Sequence, residues 1–163
     1  LFERVLVPLD GSRLSAQALP FAIEIGKRFD SEIILVRVIS TSGVVIAPQL
    51  SGIETSNSAT DIIAQEVQVK EMDNAAHAKR YLMNWVQSIK AQGIKSSYLV
   101  TIGTPAKTIM DIVDAQVISL IVMMSHGKGW FKRALIGSVA DAVLHGSKVP
   151  VLVIRPKDFE KKS

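Results

Sequence analysis

Short runs of apolar residues alternate along the chain with longer stretches in which apolar positions recur every three or four residues. Val5-Leu6-Val7-Pro8-Leu9 is continuous and apolar, as expected of a strand covered on both faces. Asp10-Gly11-Ser12 then breaks the run, and Leu14, Ala18, Phe21, Ala22 and Ile25 follow at helical spacing up to Gly26–Asp30. Ile33 to Ile39 is a second strand, apolar almost throughout, so the first forty residues read as β-α-β with a parallel pair. Ser40 to Thr60 is rich in Ser, Thr, Gly and Asn, and a connection of that length predicts a mobile or functional loop. The helical period returns from Asp61 to about Gln92, where Ala75, Ala78, Leu82, Trp85, Val86 and Ile89 form one apolar face and Gly93 is a C-cap.

Tyr98 to Ile102 reads as strand three, and Thr104-Pro105 as the cap and first turn of a helix whose inner stripe is Ala106, Ile109, Met110 and Val113. Strand four is expected over Val117–Met124, a helix over Gly137–Gly146, and strand five over Val149–Ile154. Five strands alternating with four helices predict one α/β domain over residues 1–156, a doubly wound, Rossmann-like parallel sheet, followed by a polar tail over 157–163. With strand one central, the order is 3-2-1-4-5, and a ligand crevice falls at the carboxyl ends of strands one and four.

Composition narrows the function classes. The 163 residues are 48% hydrophobic, which suits a packed globule and not a disordered chain. There is no cysteine, so neither a disulfide framework nor thiolate chemistry is available. The net charge of +4 is gathered near Lys128, Lys132 and Arg133 and in the tail, without the interleaved aromatics of a nucleic-acid surface. No apolar run is long enough to span a bilayer and no signal peptide is visible, so a cytoplasmic location is expected. Leu1 is not a start residue, and a few residues are expected to precede it.

Candidate chemistry gathers after strand four. Ser125-His126-Gly127-Lys128-Gly129-Trp130 leads to Gly137-Ser138 and a helix, and strand, glycine loop and helix start form an anion cradle. Nucleotide phosphates are the expected occupant. Asp10 lies at the same edge, where its carboxylate either accepts from ribose hydroxyls or caps the following helix, with Ser12 as the competing cap. Lys128 and Lys132 are either phosphate contacts or a solvated face. His126 has no nucleophile-elbow neighbour, and His77 and His145 lack metal-ligand spacing, so no catalytic residue is assigned.

With these residues in view, the chain resembles the universal stress protein (UspA) family, and in particular its ATP-binding branch. The likeness runs from Val5–Ser12 through Gly103-Thr104-Pro105 to Ser125-His126-Gly127, Gly137–Ala140 and Val149–Val153. That branch carries Gly-x2-Gly-x9-Gly-Ser/Thr. Here Gly127, the spacer Lys128–Ile136 and Gly137-Ser138 keep the pattern, while Met124 replaces the first glycine and is expected to weaken or re-aim binding.

The resemblance implies that Pro8, Leu9, Asp10 and Val38 wall and bond the adenine and ribose. It implies that Gly127, Lys128, Gly129, Ser138, Val139 and Ala140 hold phosphates, with Met124, Trp130 and Gly137 completing the contact set. It further implies ATP or ADP with Mg²⁺ or a similar cation, whose protein ligands are not identified. A homodimer through Val151, Leu152, Val153 and Ile154 is implied as well. The function expected is a binding-state regulator of stress adaptation. No Gly-x4-Gly-Lys-Ser/Thr loop occurs, so hydrolysis is expected to be slow at most. The alternative is a nucleotide-free dimeric scaffold whose crevice is filled by Met124 and Trp130.

Overall fold

The computed structural model describes residues 1–40, 57–125 and 136–156, the side chains of 57–71 excepted. The strands are β1 (Arg4–Pro8), β2 (Glu32–Ile39), β3 (Ser96–Ile102), β4 (Leu120–Met124) and β5 (Val151–Ile154). The helices are α1 (Leu19–Phe29), α2 (Asn57–Lys90), α3 (Pro105–Ala115) and α4 (Ser138–Gly146). All five strands are parallel, in the order β3-β2-β1-β4-β5. This is the expected doubly wound architecture, with β1 central.

The continuous apolar runs are explained by two layers. Val5, Val7, Ile33, Leu35, Leu120 and Val122 pack with Leu19 and Ala22 of α1 and Leu82, Val86 and Ile89 of α2. Leu6, Ile34, Val36, Ile121 and Met123 pack on the other face with Ile109 and Val113 of α3 and Ala140 and Val143 of α4. A strand buried on both faces has no polar side to show, so alternation disappears from the sequence.

Several boundaries differ from the sequence reading. The first helix does not begin at Leu14: Ser15–Ala18 form a 3-10 turn, and α1 starts at Leu19. Pro20 explains this, because it has no N–H to give Ala16 and can sit only in the first turn of an α-helix. Strand four does not begin at Val117. That residue is 76% exposed with φ 50°, and the next amide, Ile118, donates to Val113 O at 3.0 Å. Val117 is thus the left-handed end of α3, and its β-branched side chain hid that role from the sequence.

Strand five loses Val149 to a turn in which that residue's amide and carbonyl both bond the Ser147 hydroxyl. Strand three begins earlier than expected, at Ser96, whose buried hydroxyl donates to Val86 O at 3.2 Å. The long helix begins at Asn57, so the last four residues of the expected 40–60 loop are helical, and most of that loop lies outside the described residues, as does the 157–163 tail. Gly93 ends the helical segment as expected, with φ 80°. No helix among the described residues is long and apolar enough to cross a membrane.

Candidate functional site

β1 leads to α1 on one face of the sheet, and β4 leads to α4 on the other. The connections from neighbouring strands therefore part, and a crevice opens at their carboxyl ends. Among the described residues, Pro8, Leu9, Asp10, Val38, Met124, Ser125, Gly137, Ser138, Val139 and Ala140 belong to this edge.

On the β1 side the chain makes a tight polar turn. Asp10 Oδ1 accepts the Ser12 amide at 2.9 Å, and Ser12 Oγ accepts the Ser15 amide at 3.0 Å. Ser15 Oγ donates to Ser12 O at 3.0 Å and accepts the Asp10 amide at 3.3 Å. Ser12 is therefore the side chain that bonds into the 3-10 turn, while Asp10 fixes its carboxylate in an Asx turn. Gly11 has φ 79°, and a Cβ there would fall on the Arg37 guanidinium.

On the β4 side, the buried Ser125 donates its amide to Ile154 O at 2.8 Å and accepts the Gly137 amide at 2.6 Å. The chain thus leaves the sheet at Ser125 and re-enters at the same place. Gly137 O accepts the Asp141 amide at 2.8 Å, the first bond of α4. The amides of Ser138, Val139 and Ala140 have no partner within the helix, and the dipole there favours an anion. Ser138 is exposed and Val139 half-buried, while Ala140 is buried beneath them.

The two apolar faces separate the remaining candidates. Val38 is packed in the α3/α4 layer with Val139, and Pro8, beside Val36 in the register, follows Leu6 by two along β1 toward that same face. Leu9 and Met124 are buried in the opposite layer, against α1 and α2. Met124 therefore does not project toward Val139 and Ala140 but into the α1/α2 layer. Strand alternation is the cause: Met124 shares its face with Leu120 and Val122. Gly127, Lys128, Gly129 and Trp130 lie outside the described residues. His77 and His145 are exposed, and among the described residues no three His, Asp or Glu side chains cluster to hold a metal ion.

Two residues near the Asp10 turn were not anticipated. Arg37 and Tyr81 both carry a buried polar atom, Nε and Oη, without a hydrogen-bond partner. Burial raises the Tyr81 pKa above its usual 10.0, and the Asp10 charge adds to the effect. Trp85, Ser15 and the Arg37 charge moderate it, although neither Trp85 nor Ser15 makes a hydrogen bond of normal geometry to Oη. The signal that could have found Arg37 was a single cation inside the apolar run Ile33–Ile39.

A raised phenol pKa means that the folded chain holds its proton longer than the unfolded chain does. Stability is then complete below pH 10 and falls as pH rises through the folded pKa. Tyr81→Phe is expected to flatten that alkaline limb in pH-dependent urea melts. At pH 7 the variant should gain about 1 kcal/mol, by removing a buried hydroxyl that lacks a partner.

Residues 1–155 match the universal stress protein family. The chain is 28% identical to universal stress protein MJ0531 of Methanocaldococcus jannaschii, covering 95% of this chain and 83% of the relative. It is 30% identical to universal stress protein YxiE of Bacillus subtilis, covering 95% of this chain and 100% of the relative.

Among solved structures, UspA from Lactobacillus plantarum superposes with a TM-score of 0.74 at 22% identity, over 94% of this chain and 98% of that one. A universal stress protein in complex with cAMP gives 0.65 at 19% identity, over 94% and 97%. A family protein from Arabidopsis thaliana with AMP bound gives 0.60 at 18% identity, over 99% and 96%. At these identities the structures speak for the fold, while the match over nearly the whole sequence speaks for descent: the chain belongs to the universal stress protein family.

Proposed function

We propose that this chain is an adenine-nucleotide-binding regulatory protein of stress adaptation, holding ATP or ADP between the carboxyl ends of β1 and β4. The observation that carries the reading is the bond from the Gly137 amide to Ser125 O, which holds the open start of α4 at the end of β4 and across the crevice from Asp10. In this reading the Ser138, Val139 and Ala140 amides take phosphate oxygens together with the 127–130 segment. Pro8 and Val38 line the adenine side, and Asp10 accepts from the ribose. Met124 and Leu9 contribute through the main chain, since their side chains belong to the opposite layer.

Relatives of the same fold bound to cAMP and AMP support an adenine ligand. A cation would ride on the phosphates, because no cluster of acidic and histidine side chains is available among the described residues. Turnover is slow or absent in this reading, which assigns no general base, and the protein acts through its bound state in the cytoplasm. β5 is an edge strand whose Leu152 is 39% exposed, and it would pair with a second copy to form a homodimer.

Isothermal titration with ATP in the presence of Mg²⁺ tests the reading. Saturable heat and a raised melting temperature at millimolar nucleotide are expected. Neither heat nor shift would remove the nucleotide and leave the scaffold alternative.

A further inference from the structure

Arg37 is a poor choice for the fold. It lies near the carboxyl end of β2, on the face that Ile33 and Leu35 bury against α1 and α2, and its Nε is buried without an acceptor. A half-buried guanidinium with an unmet donor costs stability, and an apolar residue of similar length would pack there with no such loss. Residues that break a local rule in this way gather at functional sites.

What Arg37 touches is specific. Its guanidinium lies over Gly11 where any side chain at that position would be, and Gly11 is held at φ 79° between Asp10 and Ser12. Those two residues close the Asx turn that aims the Asp10 carboxylate. Tyr81 approaches the same cluster from α2, near enough to feel the charges of both Asp10 and Arg37. The planar fork therefore backs the turn from beneath the sheet edge and supplies a positive charge close to the carboxylate. It lies in the layer opposite α4, remote from the phosphate end of the crevice.

The geometry points to Arg37 as a positioning residue that, through Gly11, holds the Asp10 carboxylate in register with the ribose hydroxyls and so makes the site selective for a ribonucleotide. The inference rests on the nucleotide reading given above and adds the part of the ligand that Arg37 controls. A Lys at this position supplies a point charge but no flat surface to back the turn, so it does not replace Arg.

The test compares ATP with 2′,3′-dideoxy-ATP by isothermal titration on the full chain and on Arg37→Met, Arg37→Lys and Arg37→Gln. The wild type is expected to prefer ATP by about tenfold or more, the usual range for a hydroxyl bonded to a charged acceptor. In R37M, ATP weakens about tenfold while the dideoxy nucleotide changes less than about twofold, so discrimination falls toward unity; R37K and R37Q behave likewise. The melting midpoint of R37M stays level or rises, because the unmet donor is gone.

Retention of the wild-type ratio in R37M, or equal weakening of both nucleotides, overturns the role. So does a ratio restored by R37K, which would reduce Arg37 to a charge. A wild type that binds neither nucleotide overturns the nucleotide reading itself. A wild type that binds ATP and the dideoxy nucleotide equally leaves that reading intact and overturns only this one.

Discussion

Leu82→Ala is expected to lower the unfolding free energy by about 3–4 kcal/mol, read as a fall in the urea midpoint with an unchanged slope. Leu82 is completely buried and packs with Val5, Val7, Leu35, Val86 and Ile89. It sits in the middle of the short stretch by which α2 holds the sheet: among the described side chains of this 34-residue helix, the buried ones are Ala78, Leu82, Val86 and Ile89. A helix of that length runs about 51 Å, whereas β3 beside it spans about 23 Å. The helix therefore outruns the strand, and among its described side chains the buried attachment is confined to these four. A truncation at the centre of that contact leaves a cavity that a parallel sheet, held by bonds on both sides, closes only in part. Against a total of about 5–15 kcal/mol, the variant stays folded at 25 °C with much of its margin gone. A loss below about 1 kcal/mol would mean that α2 is held elsewhere.

Asp10→Ala is expected to weaken ATP binding by about tenfold to a hundredfold, from loss of a charge-assisted bond to the ribose. The same change removes the acceptor of the Ser12 amide and costs the fold about 0.5–1.5 kcal/mol. Asp10→Asn separates the two roles. Its Oδ1 can still take the Ser12 amide, so the turn and the melting temperature persist, while the weaker neutral acceptor leaves ATP affinity between wild type and Asp10→Ala. Titration calorimetry and thermal melts on the two variants supply both readings. Unchanged ATP affinity in Asp10→Ala would confine this carboxylate to the turn.

Much of the architecture was legible because doubly wound sheets bury strands on both faces. Val5–Leu9 and Ile33–Ile39 announce themselves as apolar runs, and Ala78, Leu82, Val86 and Ile89 keep a helical stripe across about three turns. Boundaries failed where one residue served two elements. Val117 looks like strand by its side chain, yet it ends α3 in a left-handed conformation that favours glycine. Pro20 delays α1 by removing one amide, an effect that apolar periodicity does not record.

At the site, Asp10 and Gly137-Ser138 could be placed from turn and cap chemistry, and both lie at the crevice edge. Met124 was a different matter. Its place in a motif said that it stands beside the ligand, but only the strand register says that its side chain goes to the opposite face. Arg37 and Tyr81 reach the Asp10 turn from β2 and α2, and one-dimensional spacing carries no trace of such a meeting.

The Gly137-to-Ser125 bond has a consequence for how this protein can diversify. Because Ser125 and Gly137 are bonded to each other, lengthening the chain between them is expected to cost only the slow, logarithmic entropy of a larger ring. A residue added there is expected to leave the β4–β5 pairing and the start of α4 in place, since Ser125 bonds both Ile154 and Gly137. The pairing of β4 with β5 and the first turn of α4 rest on Ser125 and Gly137 themselves, whatever the chain between them contains.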